Sequence, residues 1–248
     1  MSMTTRAPGV VPSGADVPPG PVFYVGSEVG RLRKVLVHRP DLSLERLTPS
    51  NVRDLLFDDV VWVRRAREQH DLFVDQLRDR GVEVYLLGDL LSETLTSNPE
   101  ARQGIVEHVV TERTVGASLH DEIRTYLLEM SPGDLATHLI GGLERSEMEG
   151  IDLSGSLVAL AGHDSSFVLP PLPNSLFTRD SSSRIYNGVT LNPMYFPARR
   201  LETVNVELIY QSHPMFKNED FEVWYSNQQS SGEGPIEDFG SASLEGGD

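Results

Sequence analysis

Two β-branched runs on either side of a helix-period segment constrain this chain more than any other feature. Arg33-Lys34-Val35-Leu36-Val37-His38, ended by Pro40, reads as a core strand, and Val82-Glu83-Val84-Tyr85-Leu86-Leu87 reads as the next one. Between them Ala66, His70, Phe73 and Leu77 recur at helical spacing up to Gly81, a residue suited to the position just past a helix end. A strand, a helix and a strand in that order pair in parallel through a right-handed crossover, because a right-twisted strand feeding a right-handed helix packs back onto its sheet only that way. The fold class from Val22 to Leu87 is therefore α/β. Thr48-Pro49-Ser50-Asn51 is a turn or helix start ahead of the apolar-acidic Leu55-Leu56-Phe57-Asp58-Asp59. His38 and His70 have no partners at metal-ligand spacing and read as core or surface residues.

From about Asp89 to Ala161 the pattern is helical. Asn98 before Pro99, and Ser131-Pro132-Gly133-Asp134, are helix starts, and Leu119, Ile123, Tyr126, Leu127 and Met130 stripe one face of a small bundle. Gly141-Gly142 ends the last clear helix, and Glu144 to Gly150 reads as an exposed loop. Residues 1–20, rich in proline and without apolar period, read as a disordered tail. Ser226 to Ser241 reads as a mobile polar loop, and Phe221 to Tyr225 as a strand.

The chemistry is concentrated in Pro170 to Arg200. Three prolines, Pro170, Pro171 and Pro173, stiffen the approach and predict an extended arrival of Asn174 and Leu176-Phe177-Thr178. Asp180 is expected at the end of one strand of a hairpin signalled by Asn187-Gly188, with Val189 to Leu191 as the partner strand. The segment offers a carboxylate, an amide, an aromatic ring and the pair Arg199-Arg200. A carboxylate such as Asp180 can take a guanidinium through two parallel charge-assisted hydrogen bonds, and an arginine such as Arg199 can hold a carboxylate in the same way. The set thus suits a ligand cationic at one end and anionic at the other, and it equally suits a salt bridge between Asp180 and Arg199 themselves.

With 21 basic and 37 acidic residues the net charge is −16, which argues against nucleic acid and anionic membranes as partners. No apolar run approaches 18 residues and no signal-peptide pattern opens the chain, so a soluble, cytoplasmic protein is expected. Cysteine is absent, which removes disulfides, cysteine-ligated zinc and thiolate nucleophiles from these 248 residues.

Ordered blocks carry a resemblance: VGSEVGRLRKVLVHRP and LTPSNVRDLLFDDVVWV at the front, then PPLPNSLFTRD, GVTLNPMYFPARR, HPMF at His213 to Phe216, and SLEGGD at Ser243 to Asp248. In that order they resemble the arginine deiminase family, from about Val22 to the last residue. The resemblance implies part of a five-module α/β propeller, the pentein fold, with a helical insertion domain. On that basis residues 21–88 are a first module, 89–161 the helical insertion, which favours this assignment over dimethylarginine hydrolases, and 162–248 an incomplete second module. The reading of Thr203 to Tyr210, whose alternation fits a strand or a buried helix, becomes helix.

By the same resemblance the activity is hydrolysis of L-arginine to L-citrulline and ammonia through a cysteine thiouronium. Asp180 would fork onto two guanidinium nitrogens, and Glu245 would bond the guanidinium and orient a histidine base. Asn174 and Arg199 would hold the α-carboxylate, Phe177 would pack along the pocket, and Leu55 would supply a backbone contact. No cofactor and no metal is implied. The expected partner is L-arginine as small-molecule substrate, with no nucleic acid and no membrane, and with a homo-oligomer left open. The family's nucleophilic cysteine and His-x-Asp pair are not met before Asp248, so the chain is expected to be an amino-terminal fragment without turnover. A related amidinotransferase or other guanidino-modifying enzyme, and a catalytically silent guanidino-binding or interaction module, are the alternatives. A substrate screen and the coding sequence beyond codon 248 would separate them.

Overall fold

The structure, a computed structural model, describes residues 23–148, 167–217, 219–225 and 243–244. The tail at 1–20, the loop at Ser226 to Ser241 and Glu245 therefore fall outside the described residues. Strand β1 (Lys34–Val37) and β2 (Glu83–Leu86) pair in parallel, Lys34 opposite Glu83 through Val37 opposite Leu86. Short α1 (Leu42–Glu45) and long α2 (Val63–Arg78) lie between them. Both strands are largely half-buried rather than core, because a two-stranded sheet leaves much of its edge outside. On α2 the inward stripe runs through Val63 and Val74, with Ala66, His70 and Leu77 partly covered, while Phe73 faces outward. Positions 73 and 74 both satisfy helical spacing from His70, and the smaller valine takes the inner one. Gly81 follows the helix with φ +75°, as its position in the sequence requires.

Five helices come next: α3 (Leu87–Ser97), α4 (Pro99–Val109), α5 (Glu112–Val115), α6 (His120–Glu129) and α7 (Pro132–Gly141). The starts of α4 and α7 are capped as the sequence predicts. Asn98 Oδ1 accepts from the Ala101 amide at 3.1 Å, and Ser131 Oγ accepts from the Asp134 amide at 3.1 Å. Leu91, Val106, Ile123, Leu127 and Leu135 fill a core that continues into Val168, Leu191 and Ile209. Gly142 ends α7 with φ +84°, and a Cβ there would lie 2.8 Å from the Pro171 nitrogen. The proline-rich segment is therefore laid directly on the end of α7, and the Leu172 amide donates to the Ile140 carbonyl at 2.9 Å.

The exposed loop expected from Glu144 to Gly150 is corrected in part: Ser146 and Glu147 are exposed, residues 149–150 fall outside the described residues, and the start of the stretch is regular structure. Strand β3 (Leu143–Glu144) pairs antiparallel with β4 (Phe167–Leu169), and a 3₁₀ turn at Arg145–Glu147 follows β3. Arg46, itself buried, takes Glu144 at 3.1 Å and Glu147 at 2.6 Å, and Met148 is buried. An acidic stretch that looks solvated in sequence is fixed because a distant cation needs its charge offset.

The last part carries α8 (Thr178–Ser181), β5 (Ser182–Ile185), β6 (Gly188–Leu191), α9 (Arg200–Ser212), α10 (Pro214–Lys217) and β7 (Glu222–Tyr225). Strands β5 and β6 form the antiparallel hairpin, and β7 joins β6 in parallel. Its turn sits one residue earlier than Asn187-Gly188 suggests. Ile185 pairs with Gly188, and Tyr186 takes the positive φ of +50°. Gly188 is instead the seat of Trp224, whose Cε2 would lie 2.4 Å from an added Cβ. Helix α9 buries Glu202 through Glu207 without a break, so its sequence shows no one-sided stripe and mimics a strand. Among the described residues no helix is long and apolar enough to cross a membrane.

Candidate functional site

The prolines do not deliver an extended segment. Pro173 starts a 3₁₀ turn, Pro173–Leu176, and α8 follows at once, so Asp180 stands in a short helix just ahead of β5 rather than at a strand end. Proline's fixed φ suits the first position of a helical turn as well as an extended chain. This compact double turn presents Asn174, Phe177 and Asp180 within seven residues, against the start of α9.

At that junction Arg199, 5% exposed, is gripped from two sides. Its Nε donates to both Glu202 carboxylate oxygens at 3.2 Å, its Nη2 donates to Glu202 Oε2 at 2.9 Å, and its Nη1 donates to Asp180 Oδ2 at 2.9 Å. Nη2 also lies 3.4 Å from the Asn174 carbonyl. The Asn174 side chain in turn donates to the Leu55 carbonyl at 2.8 Å, across 119 residues of sequence. Beside that carbonyl Leu56 holds φ +63°, a conformation uncommon for a leucine, in a turn closed by the Phe57 amide on the Val52 carbonyl at 2.9 Å. Leu55, Asn174, Arg199 and Asp180 thus form one continuous hydrogen-bonded chain.

Asn192 and Thr203 buttress it. Asn192 Nδ2 donates to the Asp180 carbonyl at 2.8 Å, the Asn192 amide donates to the Ser181 carbonyl at 3.0 Å, and Thr203 Oγ1 donates to the Asn192 carbonyl at 2.6 Å. Burial opposes the Arg199 charge, but hydrogen bonds and charge from Glu202 and then Asp180 outweigh it and hold its pKa above the ordinary arginine value. Removing one partner from such a buried set is strongly destabilising, because the remaining charge is left uncompensated.

Of the residues singled out in the sequence, Leu55, Asn174, Asp180 and Arg199 come together. Phe177 adjoins them in sequence and is half exposed. Glu245 lies outside the described residues, although the Leu244 amide donates to the Pro193 carbonyl at 3.0 Å, next to Asn192. The salt bridge between Asp180 and Arg199, one of the two arrangements their residue types allow, is the one present. Glu202, Asn192 and Thr203 were not singled out. A signal for Glu202 existed, since an acid three residues after an arginine at a helix start is spaced to pair with its guanidinium. Among the described residues no cluster of three or more histidine or acidic side chains is placed to hold a metal ion.

Of Asp180, Arg199 and Glu202, Asp180 has the most exposed side chain, at 29%. A carboxylate so placed can accept hydrogen bonds from a cation, and the donors of Arg199 are directed at Glu202, Asp180 and the Asn174 carbonyl. A family profile described as arginine deiminase matches residues 53–248, which includes every residue of this cluster and more than half of the chain. The chain belongs to the arginine deiminase family.

Proposed function

We propose that this chain binds L-arginine at the Asp180–Arg199 junction, as the substrate-holding part of an arginine deiminase. Asp180 accepts the guanidinium, Glu245 is the second acid, and Arg199 and Asn174 take the α-carboxylate. The Leu55 carbonyl lines the pocket, and Phe177 covers the aliphatic stem. The observation that carries this reading is the hydrogen-bonded chain from the Leu55 carbonyl through Asn174 to Arg199 and Asp180, which joins a loop near residue 55 to the α8–α9 junction. The three small sheets with their flanking helices are read as parts of a five-module α/β propeller, and the cytoplasm as its place of action.

The deiminase reaction requires a thiolate to add to the guanidinium carbon, a proton donor for the departing ammonia, and water to hydrolyse the resulting thiouronium to citrulline and restore the thiol. The 248 residues contain no cysteine, so this chain binds without turning over. Titration calorimetry with L-arginine, paired with a citrulline assay on the same sample, tests both halves. Saturable binding with no citrulline is expected. Absence of binding overturns the site, and citrulline formation overturns the requirement for a thiolate from this chain.

A further inference from the structure

We infer that the cavity where β1 and β2 end against α3 and α7 is a second binding site, for a small organic cation carrying a primary ammonium group on a short aliphatic stem. It shares no residue with the Asp180–Arg199 junction, and the inference does not depend on what binds there. The cavity holds about 330 Å³ and lies where the chain leaves both parallel strands, at His38 after β1 and at Gly88 just inside α3. That volume is near the lower end of the roughly 300 to 1,000 Å³ of small-molecule sites. Crevices beyond the carboxyl ends of parallel strands are also where open α/β sheets hold ligands. His38 and Ser43 line the cavity, 6% and 1% exposed, and His38 Nε2 and Ser43 Oγ are buried with no hydrogen-bond partner among the described residues. An unmade hydrogen bond of this kind costs about 1 to 3 kcal/mol, so a ligand that engages either group, after a turn of the hydroxyl or the ring, gains what the free protein forgoes.

The lining calls for a ligand that donates. Thr137 Oγ1 gives its proton to the Gly133 carbonyl at 2.9 Å and is left an acceptor. Burial lowers the His38 pKa to about 4, so at neutral pH its ring offers an acceptor nitrogen. Asp41 and Asp89 line the cavity as exposed residues, and no lysine or arginine is among its lining side chains. Asp41 shares Arg67 with Glu45, whereas Asp89 has no ion-pair partner among the described residues. Charge then decides between a cation and an anion. The first turns of α3 and α7 bring Gly88 and Gly133 to the wall, and each helix start carries about half a positive charge. Together the two helix starts offset about one carboxylate, and Arg67 is matched by Glu45, so the second carboxylate leaves the cavity negative. An ammonium is compact and serves acceptors on several sides with its three donors, while Leu42 and Ile140 supply an apolar wall for its stem.

NMR titrations of the 248-residue chain with n-butylammonium, tetramethylammonium and acetate test the site. n-Butylammonium should shift the Gly88, Asp89 and Gly133 amides saturably. Tetramethylammonium, which has the charge and no N–H, should bind at least about tenfold more weakly, and acetate should leave these amides unmoved. Gly88→Leu grows a side chain where a Cβ would meet nothing within 4 Å, so the fold has room for it, and binding should be lost without a lower urea midpoint. Ser43→Ala removes an unpartnered hydroxyl, so the free protein should be no less stable while n-butylammonium binds about fivefold more weakly. A merely structural role would lower stability instead. Should Gly88→Leu fail to fold, Asp89→Asn, at an exposed residue, decides with an expected weakening of about tenfold. No saturable shift at these amides, equal binding of tetramethylammonium or acetate, or full affinity in folded Gly88→Leu or in Asp89→Asn protein would overturn the site.

Discussion

His38 closes β1 and is 6% exposed, with its Nε2 buried and without a hydrogen-bond partner. Burial lowers its pKa from 6.5 to about 4, with nearby Asp41 acting in the opposite direction and His70 adding to the depression. The unfolded chain therefore binds a proton more readily than the folded one between those two values. The contribution to stability is complete above about pH 6.5 and is lost as pH falls through the window toward 4. At roughly 1.4 kcal/mol for each pH unit, the full window is worth about 3 kcal/mol, and acidification from pH 7.5 to 5 removes about 2 kcal/mol. Replacing His38 by leucine removes the titrating group and leaves no polar atom to desolvate. Urea unfolding of both proteins at pH 7.5 and 5 gives a difference of differences in which other acid-sensitive groups, such as His70 and Asp71, largely cancel. The His38→Leu protein should lose about 2 kcal/mol less than its parent on acidification. Equal losses would refute the claim that His38 is held neutral by burial.

Further outcomes follow from the packing. Leu127, wholly buried among the helices, should cost about 2 to 5 kcal/mol on truncation to alanine, whereas Leu72→Ala on the outer face of α2 should change stability by less than about 0.5 kcal/mol, both read from urea midpoints. Gly188→Ala places a Cβ where the Trp224 ring lies, so a loss of about 1 to 3 kcal/mol with a red-shifted tryptophan emission is expected, and an unchanged spectrum would mean that the ring does not sit there. Glu207 is buried, and desolvation raises its pKa although Gln211 bonds its charged form. A carboxyl with a raised folded pKa stabilises least at high pH, so Glu207→Gln should raise the melting temperature at pH 8 and lose that advantage near pH 4. The same gain at both pH values would contradict it.

What could be read from the chain was local chemistry. Proline and serine or asparagine at helix starts and the β5–β6 hairpin each depend on a few neighbouring residues, while the parallel β1–β2 pair, Lys34 opposite Glu83, was legible from the strand, helix and strand order between them. What could not be read depended on partners far away. The acidic stretch after α7 looked solvated because Arg46 is about a hundred residues distant. Gly188 looked like a turn residue because Trp224 was not yet in view. Phe73 and Val74 fit the same helical face, and only the packing of α2 chooses between them. At the site, residue types showed that Asp180 and Arg199 could pair with each other or with a ligand. Burial of Glu202 is the added fact, since it fixes one edge of Arg199 from inside the fold.

The most direct measurement is a crystal structure of the 248-residue chain grown with L-arginine. The account predicts the ligand guanidinium on the Asp180 carboxylate and its own carboxylate held by Arg199 and Asn174. A ligand found elsewhere, or a site with the Asp180–Arg199 bond intact and no arginine at saturating concentration, would contradict it.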